Sequence, residues 1–481
     1  MCGLFGRINT DGRPVDFDES MRMLDIISHR GPDGEGYHHE GNVFLGHKRL
    51  SIIDLEGGAQ PIYNEDGSRL VICNGEIYNH EELRRHLISK GHVFRTRSDT
   101  EVLVHLFEEE GENLLGKLNG MFAFAIYDSK NKSLFLARDR IGIKPLYYYH
   151  DEEQFLFSSE MKAIVKSGLI PRDIDNDAVY QYLTLHHSVP PRTLIRGLHS
   201  VKAGHYLSLT EGKAKEVSYW DIESGSDYSD FSFDDASAGV EELLLDSVEK
   251  RLMSDVPLGL YLSGGVDSSL IAVLMHRIVG SGIKTFSIGF HEQGYSELPY
   301  SRRISEMISS DHMEIVVTPE DIMDNIEKVV WYRETPISEV SDIPIHLLSK
   351  AAKEKVTVVL TGEGGDEAFC GYNKYVYEKL AGYTGILANP VARALYHNGI
   401  ARKVLPQRLS TALDLLSVRD KPRRYYEWFS FFRRDELIDS LREDRLDLIP
   451  DENPFSKFLE GTRFASPLEE MQYLDVKVWL P

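Results

Sequence analysis

The chain has 481 residues, more than one ordinary core accommodates, so two or three domains are expected. Its 42% hydrophobic and 27% charged content is that of a soluble globular protein, and a formal net charge of −22 argues against nucleic acid or an anionic membrane as partner. Its three cysteines (Cys2, Cys73, Cys370) fit a reducing cytosol and exclude a disulfide scaffold or a cysteine-rich zinc site. Residues 9–18 are polar where a signal peptide would be apolar, and no apolar run is long enough to span a bilayer.

Removal of Met1 would leave Cys2 as the first residue. Such a residue carries a nucleophile and a base together: its thiol has a reference pKa of roughly 8.5 and its free amine one of roughly 7.7–8.0. The amine can take the thiol proton without help from a histidine.

The first two hundred residues read as strands and hairpins with a few helices. A helix is expected near Asn79, with Glu82 three positions on and Gly91 as its stop, and another at Ser98, with Glu101 completing a capping box. An apolar strand at 121–127, a polar turn at 128–132 and a return at 134–137 form a hairpin; a second joins 146–149 to 155–157 through Asp151. The continuously apolar run 122–126 implies a sheet covered on both faces.

Residues 224–230 are small, polar and acidic, which places a linker at 216–235 between a domain at 2–215 and one at 236–481. Beyond it a helix at 236–254, strands at 258–262, 285–290 and 356–360, and a helix at 268–279 imply a parallel, doubly wound α/β sheet. From 373 onward the text is helical and charged, with aromatics clustered at 425–429.

Four stretches in the first half suit a terminal thiolate: Ser28-His29-Arg30-Gly31-Pro32-Asp33-Gly34, His47-Lys48-Arg49-Leu50-Ser51-Ile52, Cys73-Asn74-Gly75-Glu76-Ile77-Tyr78-Asn79 and Arg97-Ser98-Asp99-Thr100-Glu101. Cleaving the side-chain amide of a free amino acid needs N–H donors for its carboxylate, which Arg49 offers. Its ammonium needs carboxylates, for which Glu76 or Asp99 serve. The oxyanion needs preorganised donors, for which the Asn74 amide and the Gly75 N–H suit. Together these stretches resemble the glutaminase domain of class II amidotransferases. The resemblance implies an α+β N-terminal-nucleophile fold, with two stacked antiparallel sheets between helical layers. It implies glutamine hydrolysis with Cys2 as nucleophile, Asn74 and Gly75 as oxyanion hole, and Arg49, Ile52, Asn74, Gly75, Glu76 and Asp99 as the glutamine site.

In the second half, Tyr261-Leu262-Ser263-Gly264-Gly265-Val266-Asp267-Ser268-Ser269-Leu270 sits between a strand and a helix. Small residues let backbone N–H groups reach phosphate oxygens at the positive end of the helix, and the serines add donors. Asp267 repels bare phosphate, so its expected task is Mg²⁺ held with ATP. Thr361-Gly362-Glu363-Gly364-Gly365-Asp366-Glu367 follows another strand, and open α/β sheets bind ligands at such strand ends.

The first loop resembles the pyrophosphate-binding motif of ATP pyrophosphatases. Joined to a terminal-cysteine glutaminase and followed by the second loop, it resembles the family of glutamine-hydrolysing asparagine synthetases from Cys2 to about Tyr375. Asp255-Val256-Pro257-Leu258-Gly259 and Phe286-Ser287-Ile288-Gly289-Phe290 also match. The resemblance implies that aspartate and ATP form β-aspartyl-AMP, which ammonia from Cys2, arriving through a tunnel, converts to asparagine. Leu262, Ile288, Thr361 and Gly362 would frame adenosine, and Ser263, Gly264, Gly265, Asp267 and Ser268 would hold pyrophosphate. Asp267 and Asp366 would hold Mg²⁺, Glu363 would govern the adenylate, and Glu297 is a weaker candidate beside them.

The family's synthetase domain continues past Pro481, so the chain is expected to be incomplete there, and a family lysine that contacts ATP phosphates has no counterpart. The apolar C-terminal stretch suggests association into a homo-oligomer. Two alternatives follow: an amidotransferase for another carboxylate acceptor, sugar or peptide, or a glutaminase-only or regulatory paralogue. Cys370 stands where the family more often has glycine and reads as a packed small residue. Lys421 to Arg424 reads as a helix face, and His186-His187 lacks ligands at metal spacing.

Overall fold

The computed structural model describes the chain except for residues 224–230, 293, 385–414, 416–417, 419, 433, 442–448 and 451. Alternation along four strands creates the layers of its first part. In strand Gly3–Asn9, Leu4 and Ile8 face one side and Phe5 the other. In Val43–Arg49, Val43 and Leu45 oppose Phe44. In Arg69–Ile77, Leu70 and Ile72 oppose Val71 and Cys73, and in Gly120–Asp128, Ala123 and Ala125 oppose Phe122 and Phe124.

A period of two therefore sorts each strand's apolar residues between two cores. The inner set fills the space between two sheets. Phe5 and Phe44 pack with Met23 and Leu24 of helix Phe17–Ile26. Val71, Cys73, Phe122 and Phe124 pack with helices His80–Ser89 and Glu101–Glu110. The outcome is the expected helix–sheet–sheet–helix stack.

Both sheets have six strands and all their pairings are antiparallel. One runs Leu198–Ser200, Tyr147–His150, Gln154–Ser158, Gly3–Asn9, Val43–Arg49, Gly34–Glu40; the other runs Lys213–Ser218, His205–Thr210, Ser133–Arg138, Gly120–Asp128, Arg69–Ile77, Ile62–Tyr63. Both expected hairpins are present.

The first helix starts where expected, at His80 after Asn79, but the caps of this helix and the next differ from expectation. The second helix begins at Glu101, and no capping box forms at Ser98. The Glu101 carboxylate instead accepts from the Arg95 and Thr96 N–H groups and the Thr96 hydroxyl, while Ser98 Oγ accepts from Thr100 N. Asn79 precedes the first helix, but its side chain bridges to the Lys117 carbonyl and the Asn119 N–H.

A four-stranded parallel sheet follows, ordered Asp311–Val317, Lys284–Phe290, Leu258–Tyr261, Val358–Leu360. Helices Phe233–Arg251 and Val266–Val279 share one core with Leu260 and Leu360. Helix Asp342–Ala352 packs in another with Phe286 and Val356. The edge strand Asp311–Val317 escaped the sequence reading because three of its first four residues are polar, with no regular alternation, and it is half-exposed. The chain runs outward from Leu258–Tyr261 and then returns to its other side at Val358–Leu360. That reversal opens a crevice beyond the carboxyl ends of these two strands.

By compactness the described chain falls into two units. One unit comprises Met1–Arg172, Gly197–Asp221 and the described residues from 231 to Glu363; the other comprises Asp173–Arg196, Ile222 and Glu223, and the described residues of Gly364–Pro481. The linker stretch 224–230 lies outside the described residues. The second unit is helical around Tyr180, Tyr375, Tyr425, Phe429 and Phe455. Leu474 and Val478 are buried in it, so the apolar C-terminal stretch is packed, not exposed as expected. Among the described residues no helix is long and apolar enough to cross a membrane.

Candidate active site

Cys2 stands at the entry to strand Gly3–Asn9. Its Sγ lies 3.6 Å from the Leu50 carbonyl oxygen and 3.4 Å from Leu50 N, which donates to it. Its own carbonyl accepts from Arg30 Nε at 2.8 Å. Arg30 is fixed in turn by the Glu160 carboxylate at 2.9 Å, which also meets His29 and Lys162. A side chain at Gly31 would collide with the backbone of Lys48, so only glycine lets this arm lie against strand Val43–Arg49. Asp33 closes the arrangement by accepting from Ser51 N at 2.8 Å.

Burial pushes the Cys2 thiol up, against the Leu50 hydrogen bond and nearby cations. The same burial pushes the Met1 amine down to about 5. This corner of the fold therefore favours an uncharged thiol beside an uncharged amine at neutral pH.

The residues expected to hold glutamine meet here: Cys2, Arg49, Ile52, Asn74, Gly75, Glu76 and Asp99 line one pocket. Asn74 is 1% exposed, and its Nδ2 has no hydrogen-bond partner. A buried amide donor left unmade is expensive, so its presence beside the Cys2 thiol fits the expected oxyanion site. Gly75 presses on Met121 and Phe122 of the neighbouring strand, where a Cβ would collide.

Glu76 is buried and pushed up to about 7 by desolvation, with Lys144 acting against the shift and Asp99 adding to it. Asp99 is also raised by burial, while one of its oxygens accepts from Ile77 N at 2.8 Å. Asp99 is thus partly engaged by the backbone before any substrate binds.

Arg49 departs further from expectation. Its guanidinium lines the pocket but donates to three carbonyls of the adjoining loop: Leu55 at 3.0 Å, Ile53 at 3.2 Å and Asp54 at 2.6 Å. It shapes the loop as well as facing the pocket.

Lys144 is a pocket residue the sequence reading missed. It is buried, and desolvation lowers its pKa against the pull of Glu76 and Asp139. The available signal was the charged run Arg138-Asp139-Arg140 followed by Lys144, too closely set between buried strands to be solvated. Arg30 was noticed only as part of a glycine-rich stretch.

In the parallel-sheet crevice the loop after Leu258–Tyr261 is organised by hydroxyls. Ser263 Oγ lies 2.9 Å from Ser268 Oγ and accepts from Gly265 N at 3.1 Å, while Ser263 N donates to Ser268 Oγ at 3.2 Å. Gly264 has φ +85°, and a Cβ there would press on Tyr300 and the Ser301 N–H. Helix Val266–Val279 follows, directing its N-terminal N–H groups at the loop. Asp267 and Ser268 stand in its first turn.

Gly362 touches this helix start, since a Cβ there would come 2.9 Å from Ser268 N. Thr361 and Glu363 flank it on the exposed side, with Glu363 N donating to Thr361 Oγ1 at 3.4 Å. Leu262 N donates to the Phe286 carbonyl at 2.9 Å, two positions before Ile288. Glu297 precedes helix Leu298–Met307. Asp366 belongs to the second unit, on the short helix Gly365–Phe369.

The pocket loop is tied to the parallel-sheet part. Asp255 N donates to the Ile52 carbonyl at 3.0 Å, and Asp255 Oδ2 accepts from Asp54 N at 2.8 Å. Arg251 covers the Tyr78 ring, 5.0 Å from its centroid.

The chain matches two families. Residues 1–220 match the glutamine amidotransferase domain and residues 239–481 match asparagine synthase. It is 34% identical over 491 aligned positions to asparagine synthetase [glutamine-hydrolyzing] 1 of Bacillus subtilis (strain 168), covering 100% of this chain and 76% of that protein. Identity to asparagine synthetase [glutamine-hydrolyzing] 3 of the same organism is 36%, over 77% of this chain and 63% of that protein. Identity to the asparagine synthetase [glutamine-hydrolyzing] of Sandersonia aurantiaca is 37%, over 77% and 67%.

Proposed function

The chain belongs to the family of glutamine-hydrolysing asparagine synthetases, and from that premise we propose that it makes asparagine from aspartate, ATP and glutamine. The observation that carries the glutaminase half is the buried, unpartnered Asn74 amide in the pocket of Cys2. With Met1 removed, the Cys2 amine takes the thiol proton and Sγ attacks the glutamine amide carbon. The oxyanion accepts from Asn74 Nδ2 and the Gly75 N–H. The protonated amine gives its proton to the leaving nitrogen, ammonia departs, and water hydrolyses the thioester to glutamate. Glu76 and Asp99 receive the substrate ammonium, and Arg49 and Ile52 line the carboxylate side.

In the crevice, the Ser263–Ser268 backbone and hydroxyls hold the ATP phosphates, with Leu262, Ile288, Thr361 and Gly362 around adenosine. Asp267 beside a phosphate loop fits a Mg²⁺-bound nucleotide, and the ion would supply charge neutralisation there. The aspartate side-chain carboxylate attacks the α-phosphorus, pyrophosphate leaves, and Glu363 stands beside the resulting adenylate. Ammonia then displaces AMP. Three free cysteines and a thiol nucleophile suit the cytosol.

The test supplies the purified chain with amide-¹⁵N glutamine, aspartate and ATP. The label should appear in the asparagine side chain with one pyrophosphate released. Pyrophosphate release driven by another carboxylate, and not by aspartate, would overturn the acceptor.

A further inference from the structure

A second group of ionisable side chains takes no part in this chemistry. Glu65, His92, His105 and Glu108 each offer one ligand atom, and the four atoms lie within 4.8 Å of one another. Glu65 follows strand Ile62–Tyr63, His92 follows helix His80–Ser89, and His105 and Glu108 stand three apart on helix Glu101–Glu110, hence on one face. His92 Nδ1 is 3.0 Å from Glu65 and 3.9 Å from Glu108; His105 Nδ1 is 3.4 Å from Glu65 and 3.6 Å from Glu108. Ligands on bonds of about 2.0 Å around a tetrahedral zinc ion stand about 3.3 Å apart, inside this range.

The outer sides of both rings face carboxylates. His92 Nε2 lies 3.3 Å from Glu109 and His105 Nε2 lies 3.7 Å from Glu101. A carboxylate behind an imidazole holds the proton on that nitrogen and turns the lone pair of the other inward. His105 is 1% exposed, yet neither of its ring nitrogens makes a hydrogen bond. Glu108 Oε2 is likewise buried without one, while Oε1 accepts from Asn64 and Arg69. Glu65 Oε1 accepts from Val93 N and is hydrogen-bonded to His92 Nδ1, a contact the ion would replace, which leaves Oε2 toward His105. Orphaned buried atoms are rare in native folds, and two of these, His105 Nδ1 and Glu108 Oε2, face each other at 3.6 Å.

We propose that Glu65, His92, His105 and Glu108 bind one divalent transition-metal ion, with Zn²⁺ the best match. Two imidazoles and two carboxylates suit its borderline character, and the carboxylates balance its charge. Four protein ligands make the site structural. The ion pins the Glu65 turn and the His92 loop to a helix whose N-terminal approach, Ser98 to Thr100, lines the glutamine pocket.

The test uses the full chain, stripped with chelator and dialysed against Zn²⁺ or Co²⁺ without ATP or Mg²⁺. One equivalent of metal should remain, Co²⁺ should show the strong visible bands of four-coordinate nitrogen and oxygen ligation, and Zn²⁺ should raise the melting temperature. Cys2→Ser should retain the ion, whereas a His92→Gln/Glu65→Gln double variant should lose it while keeping the wild-type circular dichroism. No retained ion, the weak spectrum of six-coordinate cobalt, or equal retention by the double variant would overturn the proposal. Should the double variant not fold, the wild-type cobalt spectrum decides alone.

Discussion

At Cys2 the working groups are charges and polar atoms held out of water: Glu76 pushed up to about 7, Lys144 pushed down, and Asn74 Nδ2 without a partner. At Ser263–Ser268 they are backbone N–H groups and hydroxyls on a half-exposed turn at a helix start. The difference fits the substrates proposed for the two sites. A neutral amide must have its charge created inside the site, which rewards preorganised buried donors. A triphosphate brings its own charge and needs close approach of N–H groups, which rewards glycine.

The sharpest way to break this contrast is to remove the buried donor. Asn74→Ala should lower kcat for glutamine hydrolysis about 10²–10³-fold, with little change in ammonia-driven pyrophosphate release. An equal loss in both assays would mean that Asn74 supports the fold and not the oxyanion.

Next in size is the pH response. Burial raises Glu76, so its carboxylate is present above about pH 7 and protonated below. The proposed attraction of Glu76 for the glutamine ammonium would therefore be lost as pH falls, and KM for glutamine should rise about tenfold per unit below that point. Glu76→Gln should flatten the profile, while KM for ATP should not follow it.

The crevice should fail differently. Gly264→Ala forces an L side chain to φ +85° and against Tyr300, so KM for ATP should rise at least about tenfold. Glutaminase kinetics should be unchanged, and parallel losses in both would contradict separate construction.

The smallest effect lies in neither site. Cys370 has φ +58° at the end of helix Gly365–Phe369, a conformation glycine adopts without strain. Cys370→Gly should stabilise the second unit by about 1 kcal/mol or less, read as a small rise in its unfolding midpoint, and leave both KM values alone.

The same contrast explains what could be read in the sequence. The loop proposed to hold phosphate is contiguous, so strand, glycines, serines and helix stand in one line of text. The layers were legible through the resemblance carried by the motifs, and the continuously apolar run 122–126 agreed with a sheet covered on both faces. The pocket was legible where a motif carried it, at Cys2, Asn74, Gly75 and Glu76. It was not legible where only the tertiary fold assigns a partner: Arg30 reaching the Cys2 carbonyl, Lys144 beside Glu76, Arg49 turning to loop carbonyls. The capping box at Ser98 failed because Arg95 and Thr96 compete for the Glu101 carboxylate. The Glu65–His92–His105–Glu108 group escaped notice because three separate segments supply it.

The most direct measurement is peptide mass spectrometry after treatment with an electrophilic glutamine analogue such as a diazoketone. The account predicts an N-terminal peptide that begins at Cys2 and carries a single adduct on its sulfur, with glutamine protecting it. An adduct at Cys73, or glutamine hydrolysis by a chain that still begins with Met1, would contradict it.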